Sequence, residues 1–322
     1  MCQTAVFYGE ALAKYGFGGS HPLGTDRLGA FWDKLQRENI GNVVVEEPAL
    51  GSDRDALLFH DKEYVDLVKV SSKNGVGLLD RGDTPAFKGV FEASLYVVGS
   101  TLAALDYVID GMDSKGRKVD HAFNPIGGLH HARRDTAGGF CVFNDIGVAI
   151  LAAREKYGIK RIAYVDIDAH HGDGVFYEFE DDPMLFFADI HEDGRYLYPG
   201  TGSAAETGKG VAEGTKLNIP LESGAGDKEF IQAFGKIEHF VDNARPELII
   251  LQCGADGLAG DPITHLQYTP QAHKHAADVL HELAHKHCIG RIIALGGGGY
   301  NRANIGSAWT EVVKSFTGQL LS

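Results

Sequence analysis

The chain has 322 residues, a composition that is 44% hydrophobic and 23% charged, and a formal net charge of −14. This composition is typical of a globular protein, and no run of about 18 apolar residues indicates a membrane span. Because a phosphate backbone is held largely by positive charge, a chain this acidic is a poor candidate for direct nucleic-acid binding. An acidic body would instead attract a basic substrate.

The cysteines and the N-terminal sequence both suggest a cytoplasmic protein. Cys2, Cys141, Cys253 and Cys288 lie far apart and form no CxxC pair, so we expect reduced thiols. The segment MCQTAVFYGEALAKYGFGG lacks the basic stretch and apolar core of a secretion signal. We therefore expect a cytoplasmic protein without a membrane partner, and the sequence leaves the oligomeric state open.

Short apolar runs alternate with amphipathic segments along the chain. The predicted strands and helices, in chain order, are helix 91–110, strand 122–126, helix 144–158, strands 161–167 and 184–190, helix 227–244, strand 247–253, helix 269–287 and strand 291–296. Nearly continuous apolar strands are typical of a parallel sheet that is buried on both faces. We predict one α/β domain over 1–322, with a central, mostly parallel sheet and helices on both faces. The Gly-, Ser- and Thr-rich region 191–226 is predicted to be a long functional loop region.

Polar or glycine-rich sequence follows every predicted strand. The five segments are GGLHHARRD, DIDAHHGDG, DIHEDGRYLYPGTG, CGADGLAGD and GGGGYN. In open α/β sheets, ligands bind beyond the carboxyl ends of the strands. We therefore expect these segments to converge on one site.

Three residues at these strand ends have the chemistry of metal ligands. Asp168 and His170 are two apart, so an extended segment points both to one side, and Asp256 follows another strand. Three protein ligands leave an open coordination position, as in catalytic sites, and this set suits Zn²⁺, although Fe²⁺ or Mn²⁺ would accept it. The alternative is a group of ordinary loop side chains, which the cost of burying unpaired charges makes less favourable.

A histidine pair, His130-His131, follows another strand and two glycines. Asp166 and Asp173 could each hold one imidazole in a fixed tautomer. A hydrolytic metal site needs a base for water and an acid for a leaving amine, and two such histidines can divide these tasks. Without this context the pair would be a surface feature of a loop.

Tyr300 follows four glycines and could donate a hydrogen bond to a developing oxyanion. The alternative is a packing or capping tyrosine. The glycine run does not match the nucleotide-binding G-x-G-x-x-G pattern, because Asn301 stands at the position of the last glycine.

A second motif points to a different activity. The segment from His281 to His285 matches H-E-x-x-H, which on a helix binds zinc in many metalloproteases. It lies on a predicted helix between two strands, whose histidines, including His273, His275 and His287, are predicted to form a polar, solvated face. A zinc protease is therefore only a minor alternative.

Together these segments resemble the histone deacetylase family, including its prokaryotic acetoin-utilisation-type and acetylpolyamine-amidohydrolase relatives. The matching segments are GGLHHARRDTAGGFCVFNDIGVAI, YVDIDAHHGDGV, YPGTG, CGADGLAGDP and GGGGYN, and their order and spacing hold from about His21 to Thr310. The resemblance implies an arginase-like fold and a zinc-dependent amidohydrolase acting on an acylated lysine-type amine. It assigns the metal to Asp168, His170 and Asp256, the general base and acid to His131, its electrostatic partner to His130, the supporting carboxylates to Asp166 and Asp173, and carbonyl polarisation to Tyr300.

The resemblance also implies how a substrate is held. Gly139, Phe140 and Tyr198 match the walls of a narrow acyl-lysine channel, which Tyr198 makes more polar than the usual phenylalanine. Asp83, in GDTPA, matches a rim aspartate that holds the substrate backbone. Ile263 stands where polyamine-selective relatives carry a glutamate, which argues against a dedicated polyamine pocket.

The same resemblance bears on two further ion sites. A structural K⁺ is implied near Asp166, Asp168, His170 and Asp189. The two-metal ureohydrolases of this fold need additional flanking carboxylates, but here Gly172 and Gly254 occupy those positions, so we expect one catalytic metal.

The expected substrate is an acylated lysine peptide or protein, or a small acylated amine such as an acetylpolyamine. A different class of function is a non-hydrolytic sensor that binds acylated ligands at the metal. The histidine pair and Tyr300 argue against a sensor, because binding alone requires neither.

Overall fold

Eight parallel strands form one sheet at the centre of the protein, as seen in a computed structural model that describes residues 2–318. Residue 1 and residues 319–322 of the predicted domain lie outside the described residues. The strand order is β2-β1-β3-β8-β7-β4-β5-β6, and each neighbouring pair is parallel. The strands are β1 (Thr4–Phe7), β2 (Val43–Glu46), β3 (His121–Asn124), β4 (Ile162–Asp166), β5 (Leu185–Glu192), β6 (Lys216–Leu221), β7 (Leu248–Gln252) and β8 (Ile292–Leu295).

Two sets of helices enclose the sheet, which confirms the predicted α/β fold. One set is centred on α5 and the other runs from α8 through α9 and α10 to α2, with each helix contacting its neighbours in the set. The helices are α1 (Glu10–Ala13), α2 (Arg27–Glu38), α3 (Asp53–Ala56), α4 (Lys62–Asn74), α5 (Val90–Asp110), α6 (Asp145–Tyr157), α7 (Asp173–Phe176), α8 (Asp227–Ala244), α9 (Pro270–His287) and α10 (Arg302–Thr317).

The five predicted strands and four predicted helices are all present, with ends shifted by at most a few residues. Gly158 ends α6 in the left-handed conformation, and the Thr269 hydroxyl accepts the Gln271 N–H at the start of α9, with Pro270 in the first turn. The prediction of one long loop over 191–226 is wrong, because β5 extends to Glu192 and β6 occupies Lys216–Leu221. Polar and apolar residues alternate along β6, but the strand is short and lies in a glycine-rich region, so the sequence was interpreted as a loop.

The strand register explains why the functional segments meet. Asp166 at the end of β4 lies opposite Asp189 of β5 and Gln252 of β7. Gln252 lies opposite Leu295 of β8, which in turn lies opposite Asn124 of β3. The carboxyl ends of the central strands therefore lie in one row, and the segments that follow them start from the same edge of the sheet.

Helix α5 is long and apolar enough to cross a membrane by length and composition, with a mean hydropathy of 1.2. However, 61% of its most apolar stretch is buried inside the fold. It packs against β3 and against α6, α4 and β8. This is the environment of a core helix in a layered domain.

Candidate metal and active site

Asp168, His170 and Asp256 meet at the carboxyl edge of the sheet and are all buried. One ligand atom from each lies within 4.8 Å of the others. The His170 Nδ1 atom is 3.1 Å from Asp168 Oδ1 and 3.0 Å from Asp256 Oδ2. Two carboxylates and one imidazole that converge on a point from a rigid edge are a suitable donor set for a divalent metal with an open position.

The charges of this triad show what it requires. Burial and the charge of Asp168 raise the pKa of Asp256 to about 7. Against the effect of its own burial, the hydrogen bonds to Asp168 and Asp256 raise the pKa of His170 to about 10. The two carboxylates thus favour a positive charge beside Nδ1 of His170. A metal ion bound to the neutral imidazole would supply this charge in place of the proton.

Neighbouring backbone and side-chain groups fix the ligand carboxylates. Asp168 Oδ2 accepts hydrogen bonds from the Gln252 side chain and the Gly298 N–H, each at 2.8 Å. Asp256 Oδ1 accepts the Ala169 N–H at 2.8 Å. Such partners orient ligands around a metal.

The structure leaves no space for the additional carboxylates that a two-metal centre needs. A Cβ atom at Gly254 would lie 2.0 Å from Asp168 Oδ2, and one at Gly172 would lie 2.6 Å from Asp166 Oδ2. Neither position can carry the additional carboxylate of a two-metal centre without displacing an existing one. Among the described residues, the group at this edge that could hold a metal ion consists of Asp168, His170 and Asp256.

The His130-His131 pair forms two separate carboxylate–imidazole pairs. His131 Nδ1 donates to Asp173 Oδ1 at 2.7 Å, which leaves the Nε2 lone pair free to act as a base. His130 Nδ1 lies 2.7 Å from Asp166 Oδ2, which also accepts the Tyr164 hydroxyl at 2.5 Å. The structure thus pairs each imidazole with its own aspartate.

The electrostatic surroundings of His131 suit a base. Burial and the neighbouring His130 lower the pKa of His131 to about 4, although its bond to Asp173 opposes this shift. The imidazole is therefore neutral at neutral pH. Against burial, the hydrogen bond from His131 and the Arg133 guanidinium hold the pKa of Asp173 below its usual value, so the carboxylate stays charged and fixes the tautomer.

Tyr300 enters the site on the glycine-rich segment after β8. A narrow cavity is lined by Tyr300, both histidines of the pair, Asp168 and His170, together with Gly139 and Cys141. Burial and the charges of Asp256 and Asp168 raise the pKa of the Tyr300 phenol well above its usual value. Tyr300 therefore keeps its proton and can donate a hydrogen bond.

Two residues that the sequence analysis missed hold this segment in place. The buried Arg27 side chain donates to the carbonyl oxygens of Gly299 at 2.9 Å and Gly297 at 2.5 Å. Asp261 Oδ2 accepts the backbone N–H of Tyr300 at 2.8 Å. Arg27 lies about 270 positions before its partners, so no local pattern in the sequence could have revealed it.

Asp145 holds the backbone segment that leads to the histidine pair. Its carboxylate accepts the backbone N–H groups of Gly128 and Leu129 and the Thr101 hydroxyl, at distances from 2.6 to 3.1 Å. It therefore fixes the turn that precedes His130. Its position at the start of α6, inside a segment already noted for its resemblance, was the signal that could have identified it.

Of the five residues predicted to contact the substrate, Gly139 lines the cavity, and Phe140 and Tyr198 pack against residues that line it. The Tyr198 ring is 5.1 Å from that of His131 and half exposed, and the Phe140 ring packs edge-on against Tyr300 at 5.8 Å. Gly139 lies so close to His131 that an added Cβ would be 2.3 Å from its ring. Asp83 is exposed, and its neighbour Thr84 accepts the Phe140 N–H at 3.0 Å, which places Asp83 at the rim.

Ile263 is tied to the site only through its backbone. Its N–H donates to Asp261 Oδ1 at 3.1 Å, while the other oxygen of Asp261 holds Tyr300. Ile263 is half-buried. It presents no charge to a cationic substrate.

The helix with the H-E-x-x-H motif is present as α9, but its histidines do not form a uniformly solvated face. His273 is fully buried and its Nε2 donates to the Gly254 carbonyl oxygen at 2.8 Å. His281 is half-buried, while Glu282 and His285 are exposed. The prediction of a solvated face is therefore wrong for His273, which supports the loop that leads to Asp256.

Comparison with known proteins assigns the class of the chain. The histone deacetylase domain family matches residues 21–316. The crystal structure of the HDA15 HD domain superposes with a TM-score of 0.89 at 28% identity, covering 98% of this chain and 88% of that one. The chain belongs to the histone deacetylase family and is a deacetylase.

Its relatives place it among the prokaryotic-type members. It is 38% identical to acetoin utilization protein AcuC of Bacillus subtilis, over 94% of this chain and 78% of that protein. It is 34% identical to a probable deacetylase of Archaeoglobus fulgidus, over 92% of this chain and 81% of that protein. The family resemblance expected from the sequence motifs is thus confirmed.

Proposed function

We propose that this chain is a zinc-dependent amidohydrolase that removes an acetyl or related acyl group from a lysine-type amine. Asp168, His170 and Asp256 would hold the zinc ion. When bound, zinc supplies Lewis acidity for the amide carbonyl and for the attacking water. The observation that carries the proposal is the position of neutral His131 and protonated Tyr300 in the same narrow cavity as Asp168 and His170.

In the proposed reaction, Nε2 of His131 accepts a proton from water as the water oxygen bonds to the carbonyl carbon. The Tyr300 hydroxyl donates a hydrogen bond to the carbonyl oxygen as negative charge develops there. His131 then delivers its proton to the amide nitrogen as the carbon–nitrogen bond breaks. The products are a carboxylate and a free amine. His130, held by Asp166, contributes to the electrostatics around His131.

We propose an acylated lysine in a peptide or protein as the substrate, with a small acylated amine as the alternative. The narrow cavity, next to which Phe140 packs against Tyr300 and Tyr198 packs against His131, suits a thin, flexible chain that ends in an amide. Asp83 at the rim would accept hydrogen bonds from a substrate backbone. The lack of charge on Ile263 favours an acyl-lysine over a polyamine.

A structural K⁺ ion is a further proposal of ours for the region of Asp166, Asp168, His170 and Asp189. Asp166 and Asp189 are fully buried on adjacent strands, and burial and the charges of Asp189 and Asp168 raise the pKa of Asp166 well above its usual value. A monovalent cation would neutralise part of this charge. A melting temperature that rises with K⁺ and not with Na⁺ supports the site, and equal values contradict it.

We further propose that residues 1–322 form one catalytic domain that acts in the cytoplasm. The residues proposed to act at the site lie between positions 83 and 300, in segments connected to several strands of the one sheet. All four cysteines are free thiols, and three of them are buried. Free thiols of this kind are usual in a reducing compartment.

A panel of fluorogenic acyl-lysine peptides and acetylpolyamines tests the proposal, with protein that has been stripped of metal and then reloaded with zinc. We expect hydrolysis of acyl-lysine peptides that disappears on stripping and returns with zinc. Preferential hydrolysis of acetylpolyamines would contradict the assigned substrate. Tight binding of acyl-lysine peptides without hydrolysis by zinc-loaded protein would identify a sensor and overturn the proposed reaction.

A further inference from the structure

A second cluster of metal-binding side chains lies at the opposite edge of the sheet, at the amino end of β3. It consists of Cys2, His121, His281 and His285, whose ligand atoms all lie within 4.8 Å of one another. Cys2 Sγ is 3.7 Å from His281 Nε2 and 3.5 Å from His285 Nε2, and the two Nε2 atoms are 3.0 Å apart. None of these residues takes part in the proposed deacetylation.

His121 is the observation that points to a ligand. It is fully buried, and its Nδ1 lies 2.8 Å from the Gly290 carbonyl oxygen, so Nδ1 carries the proton and donates. Its Nε2 therefore presents a lone pair, yet this buried atom has no hydrogen-bond partner. A buried acceptor without a partner costs free energy. Nδ1–H bonded to a backbone carbonyl, with Nε2 free, is the arrangement of many metal-binding histidines.

The fold brings the four side chains together from separate segments. His281 and His285 are one turn apart on α9, so they share a face of the helix. Gly290 follows that helix with φ 83°, and a Cβ atom there would lie 3.0 Å from the His285 ring and 3.3 Å from that of His121. Only glycine therefore allows the chain to turn this closely against both imidazoles.

We propose that Cys2, His121, His281 and His285 bind one Zn²⁺ ion in a closed, structural site that is separate from the catalytic centre. Zn–N bonds of about 2.0 Å and Zn–S bonds of about 2.3 Å place tetrahedral N–N pairs roughly 3.3 Å and N–S pairs roughly 3.6 Å apart. The observed separations of 3.0, 3.5 and 3.7 Å lie close to these values. The ligand atom of His121 lies within 4.8 Å of the other three and would move closer to them when the ion binds.

Four protein ligands make this site structural and not proteolytic. A metalloprotease keeps one coordination position open for water, whereas a set of one thiolate and three imidazoles fills a tetrahedral zinc ion. Glu282, the residue that would act as the base in an H-E-x-x-H protease, is exposed. The motif would therefore serve zinc binding without peptide cleavage.

The ion would add to the contacts that already hold the N-terminal segment, where Gln3 is hydrogen-bonded to Asp120 and to the backbone of His121. Cys2 precedes the edge-proximal strand β1, and its backbone N–H donates to the Thr317 carbonyl oxygen at 3.2 Å. A zinc ion would fasten this segment to β3 and α9. Because the folded chain alone presents the four ligands together, binding would stabilise the folded state.

Metal analysis of untagged protein by mass spectrometry tests the site, since an oligohistidine tag would bind the same ions. We expect two zinc ions per wild-type chain and one in Cys2→Ser and in His285→Ala. Both substitutions remove little from the core, because Cys2 is half-buried and His285 is exposed. Glu282→Gln is the matched control within the motif and should retain two.

Cobalt substitution separates this site from the catalytic one. The proposed site alone contains a thiolate, so Co²⁺-loaded wild type and Asp256→Ala should both show thiolate-to-cobalt charge-transfer absorption that Cys2→Ser lacks. If Cys2→Ser loses one zinc ion and Asp256→Ala loses none, the assignment of the catalytic ligands is refuted while the second zinc site is supported. Unchanged zinc in Cys2→Ser, or no thiolate band in the wild type, would overturn the site.

Discussion

Replacing Tyr300 by phenylalanine isolates the contribution of one hydroxyl group. The contacts that hold Tyr300 use its ring and backbone: the ring packs against Phe140 at 5.8 Å, and the N–H donates to Asp261 at 2.8 Å. Phenylalanine keeps both contacts. The substitution should therefore leave the fold and the metal ligands unchanged while removing the proposed donor to the carbonyl oxygen.

The size of the effect follows from the chemistry of such donors. Loss of one hydrogen-bond donor to a developing oxyanion lowers kcat by roughly 10²–10³, or about 2.7–4 kcal/mol of transition-state stabilisation. We expect a loss of that order for Tyr300→Phe, with zinc content equal to wild type. Burial and the neighbouring carboxylates keep the phenol protonated, so the loss should be the same from pH 7 to pH 9. The assay is steady-state hydrolysis of an acetyl-lysine peptide, with metal analysis of the same sample.

Tyr198→Phe is the matched control, because it removes a phenol hydroxyl from the mouth of the same cavity. Tyr198 is half exposed, so its hydroxyl can exchange a substrate contact for water, and we expect a change within about two- to threefold. Unchanged turnover in Tyr300→Phe would refute the oxyanion role. Equal losses in both variants would show that the effect comes from polarity of the channel.

Three further predictions concern the candidate metal site, the partner of His131 and a buried histidine outside the site. Asp256→Ala should lose the zinc ion of the catalytic centre, as metal analysis would show, and full zinc content would contradict the ligand assignment. Asp173→Asn should retain zinc but lower kcat by about 10–100-fold, because His131 loses the carboxylate that orients it; unchanged kcat would refute that role. Burial lowers the pKa of His60 to about 3, and its Nε2 accepts the Asn144 N–H at 2.8 Å. The unfolded chain protonates this imidazole near pH 6.5 and the folded chain does not, so stability should fall as pH drops from 6.5 towards 3, by up to about 1.4 kcal/mol per pH unit. Urea unfolding of wild type and His60→Gln at pH 5 to 7 measures how the free energy of unfolding depends on pH. In the variant this dependence should be less steep than in wild type, by the equivalent of about one proton. The same pH dependence in both proteins would contradict the prediction.

The strands that the sequence predicted are buried on both faces. Strands such as β4 and β7 are continuous apolar runs because both of their faces are buried. The missed strands β1 and β2 have only four residues each, which is too short for a clear strand signal, and in β2 at the sheet edge only Glu46 is buried. Helix α10 was missed because small and polar residues such as Gly306, Thr310 and Ser315 are buried beside its apolar ones, which weakens the apolar stripe in its sequence.

The convergence of the candidate metal ligands was predictable because these residues stand directly after strands. Asp168, His170 and Asp256 follow β4 and β7, and parallel strands in register deliver them to one edge. The supporting residues were not predictable in this way. Arg27 and Asp261 act through backbone groups of the segment around Tyr300, and such contacts between distant parts of the chain leave no spacing in the sequence.

In the proposed mechanism, His131 acts as the base beside a bound metal ion. The decisive test compares the rates at which zinc-loaded wild type and zinc-loaded His131→Ala hydrolyse an acetyl-lysine peptide. Zinc content is determined in both samples. We predict that the variant keeps its zinc and loses about 10²–10⁴ in rate, the usual contribution of an acid–base residue. Equal rates in the two proteins, or no hydrolysis by fully zinc-loaded wild type across the acyl-lysine panel, would contradict the proposed mechanism.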